Sequence, residues 1–301
     1  MKILLVWIVT CLIWSTVWLF IKLGLRDLPP VSFAGIRLLI AVIILLPVIT
    51  VRRIALPRKA RDLRLIAITG LLLLGLNYGL VFWGAQYISS GLTAVLQAAT
   101  PAFGLIFTSY YLPGERITPL KFCALLIGIG GVAIIFSNQL QIAGWLALLG
   151  CAAVIGGALC VAFSYVLVKA YGGHLHPIVL TAGQMLCGLV PLLIFGLATE
   201  GNPLEFRWTS TATFSLLYLA LAGSIAAFGL NYWLLQRIDA TKILLMSIVE
   251  PPLAVMLGAV VLGETLTQRT LWGSGCILLS LGLLLSRSTA ASQDNRTRAE
   301  L

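Results

Sequence analysis

An ionisable side chain inside a long apolar run is costly to keep there, so each one is a candidate for function. Glu250 is the clearest in this chain, lying inside an apolar stretch directly before Pro251-Pro252. Proline supplies no N–H, so the pair leaves backbone carbonyls without intrahelical donors and kinks the helix. A carboxylate beside freed carbonyls is equipped to hold an ammonium group or to carry a proton. The competing reading pairs Glu250 with a basic residue or sets it to cap backbone donors in the bundle. Arg37 lies early in the second apolar stretch of the chain and Lys22 at the end of the first. Both are suited to a substrate carboxylate, and both can snorkel to the interface beside Asp27; snorkelling is the better reading for Lys22, while Arg37 stays open. Glu115 and Glu264 end the fourth and ninth apolar stretches in Gly-Glu segments, where a carboxylate satisfies free N–H groups at the start of a helix.

Uncharged polar groups extend this set. Trp14, Ser15, Asn77, Tyr78, Gln97, Ser164, Tyr165, Gln184, Asn231 and Tyr232 fall within apolar stretches and would be unfavourable facing lipid. They point inward, either to neighbouring helices or to a cavity, and as a set they describe a small-solute pocket. Chemistry of other kinds is missing. The only histidines, His174 and His176, lie in a loop without a His-Glu-x-x-His pattern. Gly-x-Ser-x-Gly and the phosphate-binding Gly-x-x-x-x-Gly-Lys are absent, and Asp27, Asp62, Asp239 and Asp294 lie in loops or the tail. The six cysteines are scattered through apolar stretches and form neither a disulfide framework nor a metal pattern. No enzyme, metal or cofactor is expected; an intramembrane enzyme is the remote alternative.

The elements that must position these residues are set by composition. Of 301 residues 60% are hydrophobic and 10% charged, with a mean hydropathy of +1.04. Charged residues cover soluble proteins, so this surface is made for lipid. Apolar segments run from Ile3 to Ile21, Val31 to Val51, Leu65 to Ala85, Leu92 to Leu112 and Leu120 to Phe136 in the first half. In the second half they run from Gly144 to Val168, Pro177 to Ala198, Phe214 to Leu235, Ile243 to Leu262 and Leu271 to Leu285. Each approaches the length a helix needs to cross hydrocarbon, and the period-two alternation of a β-barrel is absent. The expected fold is all-α transmembrane, with ten helices.

The net charge of +10 sits between the apolar segments and sets topology; no nucleic-acid platform accompanies it. Arg52, Arg53, Arg58, Lys59, Arg61 and Arg64 form the strongest cluster. Placing them in the cytoplasm puts both termini there and leaves only Lys22, Arg26, Arg37, Arg207 and Arg269 of the 20 Lys and Arg on the outer side. The apolar run after Met1-Lys2 is too long for a signal peptide and reads as an uncleaved first span.

The two halves repeat. Lys22, Pro30 and Arg37 recur at the same spacing as Lys169, Pro177 and Gln184; Asn77-Tyr78 recurs as Asn231-Tyr232, and Thr100-Pro101 as Glu250-Pro251. The segment Gly114 to Thr118 recurs as Gly263 to Thr267. A five-span unit has an odd number of crossings, so consecutive copies enter the membrane with opposite orientation. The expected units are 1–140, 141–287 and a polar cytoplasmic tail, 288–301, with a cavity between spans one, three and four and spans six, eight and nine. Gly128, Gly130 and Gly131 in span five and Gly273, Gly275 and Gly282 in span ten suit close helix contact, within the chain or in a homodimer.

Trp14-Ser15 followed by Lys22, the Pro30 to Arg37 stretch, Thr100-Pro101 and the segments LPGERIT and LGETLT resemble the EamA family of the drug/metabolite transporter superfamily. The resemblance covers about residues 3 to 286. It implies ten helices in two inverted five-helix repeats around a central cavity, and export of amino acids or related metabolites across the bacterial inner membrane. The small multidrug-resistance relatives carry a Glu in their first helix; here Thr10 to Val17 holds no carboxylate, which argues against proton-coupled export of lipophilic cations. Facilitated diffusion, or export of other metabolites or drugs, is the alternative.

Overall fold

The computed structural model describes residues 2–111, 119–142, 144–235, 237, 246–264, 267–280 and 282–283. Glu115, the start of the expected ninth span and the tail 288–301 lie outside them. Among the described residues the regular structure is all helix, with no strand. Seven helices are long and apolar enough to cross a bilayer, and shorter apolar helices cover Phe122–Ile135 and Val249–Leu262. Helix α1 spans Lys2–Gly24 and α2 Pro30–Val51; α3 spans Ala60–Ala85, and α4 is broken into Ser90–Gln97 and Thr100–Tyr111. They are followed by α5 at Pro119–Ile142, α6 at Gly144–Tyr171 and α7 at Pro177–Thr199. Helix α8 begins at Ser210–Tyr218 and ends at Ala227–Leu235, α9 is Met246–Leu262, and α10 covers 268–280.

Three departures from the expected spans bear on the site. Helix α3 begins five residues before Leu65, at Ala60. Both α3 and α8 contain a π-helical segment, Leu71–Leu76 and Leu219–Ala226. Helix α4 breaks at Ala98 and Ala99, immediately after Gln97. π turns and helix breaks both free backbone carbonyls, which must find other donors. Thus the Asn77 amide donates to Leu73 O (3.1 Å), and the Ser224 hydroxyl donates to Leu219 O (3.1 Å).

One end of the bundle is tied by charged groups on backbone. The Lys22 ammonium, at the end of α1, donates to Ala85 O (2.7 Å), Gln86 O (3.1 Å) and Ile88 O (2.6 Å) where α3 ends. The Glu200 carboxylate, just past α7, accepts from the N–H groups of Val31 (2.9 Å) and Ser32 (2.7 Å) at the start of α2. Asp27, between α1 and α2, accepts from the Thr209 hydroxyl (2.7 Å) at the N-cap of α8 and pairs with Arg207 (3.4 Å). These placements match charge to helix polarity, cation on carbonyls and carboxylate on N–H groups. At the start of α3, Asp62 instead meets His174 (3.0 Å) from the turn between α6 and α7.

The glycine stripes of α5 and α10 divide. A Cβ on Gly131 would lie 2.6 Å from Gly273 O, so these two are used up in contact between α5 and α10. Gly130 and Gly275 have nothing within 4 Å.

Candidate functional site

A cavity of about 480 Å³ lies among α1, α2, α3, α4, α6, α8 and α9. Its wall is largely apolar: Trp14, Val17, Trp18 and Ile21 from α1; Leu73, Leu74, Val81 and Phe82 from α3; Val161 from α6 and Phe228 from α8. Trp14 and Phe228 meet edge to face, with centroids 6.3 Å apart. Polar groups interrupt this wall at a few points, as small-molecule sites require.

The first polar group is Arg37. It is 3% exposed, its Nε donates to the Ser224 hydroxyl (3.1 Å) and its guanidinium lies 4.9 Å from the Tyr78 ring centroid. Among the described residues no carboxylate pairs with it. Of the two readings left open for Arg37, snorkelling is not what this side chain does; it stays in the interior, held by a hydroxyl and an aromatic face. Lys22 does not enter the cavity either, being committed to the carbonyls of α3.

The second is Glu250, which lines the cavity with Pro251. Helix α9 runs through both prolines, so the carbonyls of Ser247 and Ile248 lack their usual i+4 donors. Among the described residues the Glu250 carboxylate accepts no hydrogen bond and joins no ion pair. A carboxyl in a membrane interior normally finds a partner in the protein or in the solute pathway.

The third is an amide network at the break of α4. Gln97 Nε2 donates to Asn77 Oδ1 (3.3 Å) and to Val154 O (3.1 Å), tying α4 to α3 and α6, while Thr100 Oγ1 donates to Gln97 O (2.7 Å). Gly157 makes room for it: a Cβ there would lie 2.5 Å from Asn77 Oδ1.

Of the residues singled out from sequence, Trp14, Arg37, Asn77, Tyr78, Gln97, Tyr165 and Glu250 line one cavity. Ser15, Ser164, Gln184 and Asn231 do not. The Ser15 hydroxyl donates to Cys11 O (2.7 Å) and that of Ser164 to Cys160 O (2.8 Å), the i−4 bond that lets a serine sit inside a helix. Gln184 Nε2 donates to Thr69 Oγ1 (2.9 Å) between α7 and α3. Asn231 lies outside the cavity wall and keeps a buried Oδ1 that has no hydrogen-bond partner among the described residues. The side chain of Tyr232 lies outside the described residues. Sequence reasoning left out Trp18, Thr100, Thr108, Lys169 and Phe228, which also line the cavity. The repeat signal had already marked Thr100 and Lys169, as the counterparts of Glu250 and Lys22.

The model of the EamA-like transporter family matches residues 1–137 and again 148–286. The chain belongs to the EamA-like transporter family. Its relatives are similar over nearly their whole length. It is 30% identical to the uncharacterized transporter YoaV of Bacillus subtilis over 96% of this chain and 97% of that one. It is 31% identical to the uncharacterized inner membrane transporter YedA of Escherichia coli, over 91% and 87%. A probable amino-acid metabolite efflux pump of Escherichia coli is 25% identical, over 91% of each. A solved crystal structure 18% identical to the chain covers 95% of it and 99% of its own length with a TM-score of 0.65, which speaks to the fold alone. This EamA-like chain is thus a multi-pass membrane protein of a transporter family, and its cavity is the place to seek a solute.

Proposed function

We propose that this EamA-like protein is a secondary transporter that exports amino acids, or closely related zwitterionic metabolites, across the bacterial inner membrane by alternating access. One observation carries the reading: Arg37 and Glu250 line the same cavity, and among the described residues neither has an ion-pair partner. A guanidinium takes a carboxylate with parallel N–H donors, and a carboxylate takes an ammonium, so a zwitterion satisfies both. A polyanion would find the Arg37 guanidinium and, towards the far end, the exposed Lys169, but would also meet the repelling Glu250 carboxylate. The Escherichia coli relative named for amino-acid metabolite efflux agrees with this choice.

The proposed architecture is ten helices in two inverted halves, with both termini and the Arg52 to Arg64 cluster in the cytoplasm. The polar ties support it. They gather the ends of α1, α3 and α7 and the starts of α2 and α8 at one end of the bundle. The Asp62–His174 contact brings the start of α3 and the turn after α6 together. With α1 ending at one end and α6 at the other, the first helices of the two halves run in opposite directions, as inverted repeats require. By the positive-inside rule the Lys22 end is the outer one.

The test is uptake into inverted vesicles from expressing cells, across a panel of amino acids with a pH gradient imposed or collapsed. Saturable uptake of zwitterions that is lost in Glu250→Gln at normal expression is the expected outcome. A preference for amines without a carboxylate, or transport unaffected by Glu250→Gln, sinks the reading. If Glu250 carries the coupling proton, collapsing the gradient lowers accumulation; a facilitative carrier equilibrates regardless.

A further inference from the structure

The sequence marked Glu264 as a cap for the helix that follows it. The structure sends it elsewhere. Gly263 adopts φ +67° just past the last residue of α9, a left-handed stop to the helix, and the Glu264 N–H returns to Gly258 O (3.2 Å), six positions back. The chain is reversed there, and the carboxylate is laid on the start of α4. It accepts from Ser90 N–H (2.8 Å), the Ser90 hydroxyl (2.8 Å) and Gly91 N–H (3.4 Å). Gly258 is what makes space for it, since a Cβ at that position would run into the Glu264 carboxylate.

Glu264 shares its target with Lys22. The connection between α3 and α4 is held at its start by the Lys22 ammonium on the carbonyls of Ala85, Gln86 and Ile88, and at its end by the Glu264 carboxylate on Ser90 and Gly91. Lys22 belongs to the same half as that connection, whereas Glu264 reaches it from the other half. The cavity lies directly beneath. Its lining there is Ile21, Val81, Phe82 and Ala94, all buried, and it continues to Thr108 and to the exposed Lys169 towards the opposite ends of α4 and α6.

We infer that Glu264 is a positioning residue for the transport cycle: its bond to the start of α4 is a latch that holds the cavity closed at the Lys22 end and must release for that end to open. The inference rests on the transporter reading for its direction, the Lys22 end being outer. It needs no particular substrate. A charge-assisted bond between two halves that move apart is a two-state contact, present in one conformer and broken in the other. Weakening it shifts the population toward the conformer that lacks it.

The reporter is Ala94→Cys, one turn below Ser90 in the cavity wall, in the full chain in membranes. It is labelled by a membrane-impermeant maleimide added to right-side-out or inverted vesicles, with the parent carrying only its native cysteines as blank. Glu264→Gln is expected to raise the labelling rate from the outer side by about 5- to 30-fold, the scale of one or two lost hydrogen bonds. Labelling from the inner side should fall at the same time. Gly258→Ala, which displaces the carboxylate without changing charge, should do the same. Unchanged rates in both variants, or a rise from both sides together as loosened packing would produce, overturn the latch. A reciprocal change with the sides exchanged keeps the latch and overturns the orientation. Neither outcome depends on whether amino acids are the cargo.

Discussion

The two halves of the chain place equivalent side chains at matched positions, yet at two of these positions only one member of the pair is charged. Arg37 in α2 corresponds to Gln184 in α7. Both reach a hydroxyl on the third helix of the other half: Arg37 to Ser224, which donates on to Leu219 O, and Gln184 to Thr69, which donates on to Leu65 O. Likewise Thr100 corresponds to Glu250, each followed by proline and each in the cavity wall. The scaffold is matched but the chemistry is not. At these two matched positions the cation comes from the first half and the carboxylate from the second, a polarity that an exact repeat would cancel. A zwitterion bound between them has one preferred direction.

That comparison can be broken most severely at Glu250. Glu250→Gln makes the second half as neutral as the first at this position. It should lower transport by about 30-fold or more, on the scale of leaving a buried charge unmatched, measured as initial uptake in inverted vesicles at equal protein. Arg37→Gln copies the second half into the first. It should raise the KM for amino acids by about tenfold or more while leaving competition by decarboxylated amines in place, because only the carboxylate contact is lost. A competition series with matched amino acids and amines reads this directly. Gly157→Val tests the matrix instead of the charges. Its side chain would collide with Asn77 Oδ1, and overpacking of this kind costs about 1–3 kcal/mol, visible as a lower melting temperature in detergent. Gln184→Ala removes one buried hydrogen bond, about 1 kcal/mol, and should leave the KM where it was. Ser164→Ala should cost about 1 kcal/mol or less, since the buried serine hydroxyl is bonded chiefly to Cys160 O of its own helix; a large transport defect there would restore Ser164 to the site.

Much of this site was legible because membrane interiors penalise polarity. Arg37, Asn77, Tyr78, Gln97 and Glu250 announce themselves by standing in apolar runs, and the structure gathers them around one cavity. The same signal misleads at Ser15, Ser164 and Gln184. A midspan hydroxyl has a second way to be satisfied, on the carbonyl four residues back, and sequence does not distinguish the two. Apolar cavity walls such as Phe228 carry no signal at all, since lipid-facing and cavity-facing aromatics have the same composition. Helix boundaries followed hydropathy, but the break in α4 and the π segments did not. Leu71–Leu76 reads Leu-Leu-Leu-Leu-Gly-Leu, as apolar as any regular turn, and nothing in its composition says that its hydrogen bonds skip to the fifth residue. Glu264 was recognised as a cap, whereas its partner helix was not, because the left-handed Gly263 redirects it across the chain.

The π segment of α3 acts on its neighbours as a one-residue insertion acts on a reading frame. In a regular helix each residue advances the face by about 100°, so one extra residue in the turn sets everything after it a step out of phase with everything before. Upstream of the segment, the frame points Thr69 at Gln184; downstream, it points Asn77 and Tyr78 at the cavity. Substituting one leucine of Leu71–Leu76 for another apolar residue preserves that phase, and deleting any one of them shifts it. The segment therefore stores its information in its length and not in its letters, and a single deletion there should do more harm than any conservative exchange.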